Sequence, residues 1–253
     1  VKAESAKRQL LFQLFELHLP VTTRREDPAG GLAFDLLSSG GRRVTTGHDE
    51  GIITVDLAES DDAYRERTRS RLGEAYRTML GHFRHEIGHY YWPRLVGDND
   101  HELAAARALF GDERDDYAQA MKRHYDHGAP ADWEASYVSA YATMHPWEDW
   151  AETFAHYLHI RDTIQTAAAF GMLVTGPRLD PEFIAAPTLE PEDHFEDILD
   201  HWLPLVYALN AVNRSMGRDD LYPFVLSPAV VEKLGFVHRL IRQVNGSRPL
   251  PVP

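Results

Sequence analysis

The 253 residues carry 39 acidic side chains against 26 Lys and Arg, a formal net charge of -13, which repels phosphate backbones and excludes the basic stripe that nucleic-acid binding needs. There is no cysteine, so disulfides and thiol catalysis are excluded, and any metal site must be built from the nitrogen and oxygen donors of His, Asp and Glu. Hydrophobic residues at 43% and charged residues at 26% exclude a disordered or fibrous class and leave a globular chain long enough to bury a sizeable core.

Residues 4–19 repeat apolar side chains at helical spacing (Leu10, Leu11, Leu14, Phe15) and run out at Pro20, which predicts an amphipathic helix. Gln13, Glu16 and His18 interrupt its apolar run, so it reads as neither a signal peptide nor a membrane span, and no run of 18 apolar residues occurs elsewhere. The expectation is a soluble, cytoplasmic protein without a membrane partner, for a chain that begins at Val1. Next, "EDPAGGLAFDLLSSGGRR" reads as loop with one short strand at residues 32–36. The stretch "GIITVDL" sets Ile53, Val55 and Leu57 against Thr54 and Asp56, a period of two that predicts a half-buried strand. That strand is either an ordinary member of a sheet or an edge along which an extended substrate pairs through its main chain.

Asp61 and Asp62 are placed to cap a long helix that runs to Trp92 and stops at Pro93. Residues 98–140 read as helical with a break at "HGAPADW". A second long helix is signalled by "HPWEDWAETFAHYLHI", with Pro146 suited to its first turn and Gly171 to its far end. The Pro- and acid-rich "TGPRLDPEFIAAPTLEPEDH" reads as an irregular excursion, followed by helices over about residues 195–216 and 228–244 and a Pro-rich tail. The fold class expected is α+β and predominantly helical, residues 1–253 forming one domain. Residues 1–95 make a lobe with a small sheet and the first motif helix, and residues 96–253 make a helical lobe.

Within "GHFRHEIGHYYW" the residues His85, Glu86 and His89 form the HExxH pattern. Residues four apart share one face of a helix, so the two imidazoles can aim at one point while Glu86 lies beside it. That is what zinc hydrolysis needs: two neutral nitrogen ligands, a carboxylate that handles protons without ligating, and one open position. A third ligand is expected from "YATMHPWEDWAETFAHY", where Glu148 and Glu152 are four apart. One can ligate while the other supports a ligand histidine from behind. His82 is three before His85 and is not excluded from the face, His145 beside Pro146 reads as a cap or loop residue near Glu148, and His156 and His159 read as core or supporting residues. Tyr90, Tyr91, Trp92, Trp147 and Trp150 read as packing between the two motif helices. Asn210, Asn213 and Arg214 either satisfy one another or line the cleft.

With these segments and the late "LNAVNRSMGRDDLYPFVLSP", the sequence resembles the bacterial family described as putative zinc-binding metallopeptidase (Peptidase_Mx) over most of its length, and its HExxH and E-x-x-A-E pair is similar to the gluzincin arrangement. The resemblance implies a zincin-like fold, zinc held by His85, His89 and Glu148, Glu152 behind a ligand histidine, and peptide hydrolysis by a metal-activated water with Glu86 as general base. Over the active-site segments alone the chain also resembles the catalytic domain of anthrax lethal factor, which has a tyrosine seven residues before its glutamate ligand. Tyr141 stands at that spacing from Glu148, which implies a hydrogen bond from its hydroxyl to the oxyanion. The expected partner is a peptide or protein substrate. Family members commonly carry an N-terminal cysteine zinc ribbon, so either a ribbon lies ahead of Val1 or this homologue lacks it, and the ribbon's partner is unknown. Two rival readings keep the metal: hydrolysis of a non-peptide amide, and a catalytically silent binding module in which zinc only ties two helices together. The intact Glu86 speaks against the second, since a structural site gains nothing from a base.

Overall fold

The computed structural model describes residues 2–38, 44, 46–61, 78–174, 184, 185 and 194–246. The chain opens on α1 (Lys2–Glu16), followed by β1 (Ala33–Leu37), β2 (Gly47–Asp49) and β3 (Ile52–Asp56). Next come α2 (Met79–Trp92), α3 (Asp100–Phe110), α4 (Tyr117–His127) and the long α5 (Pro146–Ala169). A two-residue pairing of β4 (Leu173–Val174) with β5 (Ile184–Ala185) precedes α6 (Phe195–Ser215) and α7 (Pro228–Gly246). Seven α-helices and one three-stranded sheet among the described residues make this the α+β, predominantly helical class that the sequence predicts. Most of the expected Pro-rich excursion lies outside the described residues, as does the Pro-rich tail. No described helix is long and apolar enough to cross a membrane.

The sheet has the order β1-β3-β2, with β1 parallel to β3 and β2 antiparallel to it. "GIITVDL" is therefore the central strand and not an edge, because its main chain is paired on both sides. Ile53 and Val55 are fully buried, as their alternation requires. The outer position belongs to β2, three residues too short to show a period. A tight turn joins β2 to β3 through Glu50 and Gly51, whose φ angles of 44° and 88° are both left-handed, the geometry that matches hairpin twist. Gly51 has no substitute there, since a Cβ would lie 2.4 Å from the Gly30 carbonyl oxygen.

The first motif helix is shorter than its sequence suggests. Thr78 is extended (φ -132°, ψ 157°) and its hydroxyl accepts a bond from the Gly81 amide, so α2 starts at Met79. The capping role expected of Asp62 lies outside the described residues. Pro93 does not end the coil but opens one π-helical turn, Pro93–Gly97.

The long α5 is apolar around most of its circumference, with Trp150, Phe154, Tyr157, Leu158, Ile160 and Ile164 all buried, the signature of a helix enclosed on all sides. It packs against α2, α6 and α7, and α1 reaches it as well, Gln13 donating to the Leu158 carbonyl. Each such large side chain contributes roughly 1.5–3 kcal/mol by leaving water. Gly88 sets how close α2 and α5 come: a Cβ there would stand 3.0 Å from Ala151 Cα and 3.2 Å from Phe154 Cβ. Its carbonyl accepts the Trp150 indole N–H at 2.8 Å. The closest approach of the two helices thus falls between the residues they bring together.

Candidate metal centre

His85 and His89 leave α2 on the face turned to α5, and Glu148 and Glu152 leave the first two turns of α5 toward them. His85 Nε2 lies 3.2 Å from His89 Nε2 and 2.9 Å from Glu148 Oε2, and the third side, His89 Nε2 to Glu148 Oε2, is 3.5 Å. A tetrahedral zinc with bonds of about 2.0–2.1 Å has edges of about 3.3 Å. The triangle brackets that value, so the three atoms fit one face of such a polyhedron. Glu148 Oε2 is buried and faces only these two ring nitrogens among the described residues, as suits an oxygen that shares a cation with them. Among the described residues His85, His89 and Glu148 are the one group of three or more His, Asp or Glu whose donor atoms could share a metal ion.

Behind this face, His85 Nδ1 meets Glu152 Oε1 at 2.7 Å, and the other oxygen of Glu152 accepts the Ser139 hydroxyl at 2.6 Å. Ser139 Oγ also accepts the Ala142 amide at 3.1 Å, anchoring the 3₁₀ turn Tyr141–Thr143 that carries Tyr141. The Tyr141 ring is 5.9 Å from that of His85. Its hydroxyl is pushed up by burial, with Glu148 adding to the effect, so it stays a proton donor. Trp147 stacks on His89 at 5.2 Å and 12°, and Tyr117 donates to Glu148 Oε1 at 2.8 Å. From β2, His48 lies 6.5 Å from His89 in a stacked orientation. Its Nε2 accepts the Gly51 amide at 3.0 Å, and burial, with His89, lowers it to about 4.

The charges are strongly coupled. Burial pulls the His85 imidazole down, but its hydrogen bonds to Glu148 and Glu152 outweigh that and hold it well above the ordinary range. Burial pushes Glu148 and Glu152 up, and their imidazole partners reverse this, taking Glu148 far below the carboxylate range and Glu152 to about 2. Glu86 differs: burial raises it, and no hydrogen bond holds it among the described residues. It is a buried carboxyl next in sequence to His85.

All six residues singled out from the sequence, His85, Glu86, His89, Tyr141, Glu148 and Glu152, meet in this one region. Others do not join them. His82 faces Glu59 at 3.9 Å. His145 caps α5 by accepting the Trp147 amide and reaches the Asp115 carbonyl with Nε2 at 3.0 Å. His156 bonds the Tyr222 hydroxyl at 2.7 Å. Asn210 grips both the amide and the carbonyl of Tyr222, Asn213 bonds the Asp219 carbonyl and Arg214 pairs with Asp220, so this trio braces a loop and does not line the site. Tyr117, Ser139 and His48 escape a reading of the sequence. Each arrives from a separate segment, and no spacing ties it to the motif.

A family model described as putative zinc-binding metallo-peptidase matches residues 1–240. Uncharacterized proteins of Mycobacterium bovis and of two Mycobacterium tuberculosis strains are 55% identical over 243 residues, which is 96% of this chain and 70% of each relative. No solved structure gives a significant match.

Proposed function

This chain belongs to the family described as putative zinc-binding metallo-peptidase, and from that premise we propose a zinc-dependent peptidase in which His85, His89 and Glu148 hold the metal and Glu86 moves the protons of peptide hydrolysis. The observation that carries this reading is the convergence of three donor atoms, all within 4.8 Å of one another, beside a buried carboxyl whose pKa is raised. Zinc in a three-ligand open site supplies Lewis acidity, polarising a carbonyl and making water nucleophilic near neutral pH. Glu86 accepts a proton from the attacking water and delivers it to the departing amine, a role that a raised pKa favours. Tyr141 donates a hydrogen bond to the oxygen on which negative charge develops. Glu152 accepts a hydrogen bond from the Nδ1–H of His85, which fixes the tautomer and leaves the Nε2 lone pair for the metal.

The test is incubation of zinc-loaded protein with a diverse peptide library, read by mass spectrometry with and without chelator, for the wild type and for Glu86→Gln. Cleavage should stop on chelation. Glu86→Gln should keep its zinc and lose at least the ~10²–10⁴-fold typical of general acid-base catalysis. Substantial hydrolysis by a zinc-replete Glu86→Gln protein sinks the mechanism.

A further inference from the structure

Glu148 uses its two oxygens differently. Oε2 turns to the imidazole nitrogens of His85 and His89, whereas Oε1 accepts a hydrogen bond from the Tyr117 hydroxyl at 2.8 Å. Tyr117 is the first residue of α4, an element apart from both motif helices. Its phenol is held in place from two directions. Asp116 caps α4 by accepting the Gln119 amide at 3.0 Å. His145, which caps α5, reaches the Asp115 carbonyl and packs its ring 5.2 Å from that of Tyr117. The starts of α4 and α5 are thereby pinned together directly above Glu148.

A carboxylate binds a metal through one oxygen or through both, and swinging the second oxygen inward fills a position that a reactant needs. A hydrogen bond to an ionised acceptor is roughly twice as strong as one between neutral groups, so a phenol on Oε1 opposes that swing. We propose that Tyr117 is a positioning residue that keeps Glu148 a one-oxygen ligand and so keeps the fourth position of the centre open. The inference rests on the zinc reading of His85, His89 and Glu148. Glu152 shows the same division of labour, one oxygen on His85 and the other on Ser139.

Cobalt(II) in place of zinc makes the coordination visible, because its d–d bands weaken when a fourth ligand becomes a fifth. Tyr117→Phe removes one oxygen and keeps the ring against His145, and Tyr117→Leu removes both. Tyr125→Phe, on the same helix and 64% exposed, is the control. Both Tyr117 variants should show the same weakened cobalt bands and a change in zinc affinity of roughly 10–100-fold by chelator competition, the range for a partner behind a ligand. Tyr125→Phe should match the wild type. A cobalt spectrum and zinc affinity of Tyr117→Phe equal to wild type overturn the proposal, as does a change confined to Tyr117→Leu, which assigns only packing to the ring. A wild-type protein that takes up neither metal overturns the zinc reading itself, an outcome distinct from the failure of Tyr117.

Discussion

The paired motif helices carry two buried polar clusters, one beside the start of α5 and one farther along it, built from the same kinds of residue. Farther along, Arg84 donates to Gln13 and Asp162 and lies 3.3 Å from His159, while His156 bonds Tyr222. Donors there end on acceptors, and the cluster closes on itself. Beside the start of α5, His85, His89 and Glu148 present two ring nitrogens and a carboxylate oxygen to one another. Acceptors that converge need a cation between them, either a proton or a metal. The difference explains why fourteen histidines do not mean fourteen candidate ligands: the direction of the lone pairs decides.

The largest effects should come from breaking the two clusters in turn. Glu148→Ala should lose most of the one equivalent of zinc expected per chain and leave a folded protein, because it removes an acceptor that the metal requires. Asp162→Ala should do the reverse, keeping zinc when folded but losing about 3–5 kcal/mol of stability as the buried Arg84 is left without its carboxylate. Metal analysis and urea unfolding of both variants check the pair. Full zinc in Glu148→Ala with loss in Glu152→Ala would exchange the roles of those two glutamates.

Tyr141 comes next: its ring lies beside that of His85, and removing only its hydroxyl separates oxyanion binding from packing. Tyr141→Phe should leave zinc content and melting temperature nearly unchanged and lower kcat by roughly 10–10³-fold, the range for loss of one oxyanion donor. A lowered melting temperature with unchanged kcat assigns the residue to packing.

The closed cluster should reveal itself in acid. Burial lowers His156 to about 4 from an ordinary 6.5, so between those values the unfolded chain takes up a proton that the folded chain refuses. Stability is then lost as pH falls, by up to roughly 1.4 kcal/mol per pH unit for this one residue. His85 has the opposite shift and already holds its proton above 6.5, so its contribution is constant through this window. Asp149, raised to about 7 by burial, and Glu86, raised likewise, act with the opposite sign, so the slope of the wild type alone decides nothing. The difference between metal-free wild type and His156→Gln does: the variant should lose less stability between pH 6.5 and 4.5. Parallel curves would place a charged imidazole at His156 in the folded state.

What the sequence discloses follows from periodicity. His85, His89, Glu148 and Glu152 are legible because a helix turns a spacing of four into a shared face, and apolar repeats fix where α5, α6 and α7 run. The sheet is half legible: the alternation in β3 is plain, but β2 has three residues and its pairing depends on the turn at Gly51. Helix boundaries set by one side chain, such as Thr78 on Gly81, carry no periodic signal. Tyr117, Ser139 and His48 reach the site only because α4, the loop before α5 and β2 dock there, which no local pattern encodes.

The smallest effect expected at the centre tests how far the open cluster relies on its support. Glu152 makes no contact with the converging atoms, yet it holds His85 Nδ1 at 2.7 Å. With that proton fixed on Nδ1, the Nε2 lone pair points at the site and the imidazole is a stronger base toward a metal. Glu152→Gln keeps the shape and one acceptor oxygen but removes the charge, and its amide can also present N–H to the ring and favour the wrong tautomer. Zinc affinity should therefore fall by about 10–100-fold, with the cobalt spectrum at saturation unchanged because the same three atoms still bind. Uptake of zinc should also release fewer protons than in the wild type, since the carboxylates that hold His85 protonated are reduced from two to one. Calorimetry in buffers of different ionisation enthalpy counts those protons, and equal counts in the two proteins would mean that Glu148 alone sets the charge of His85.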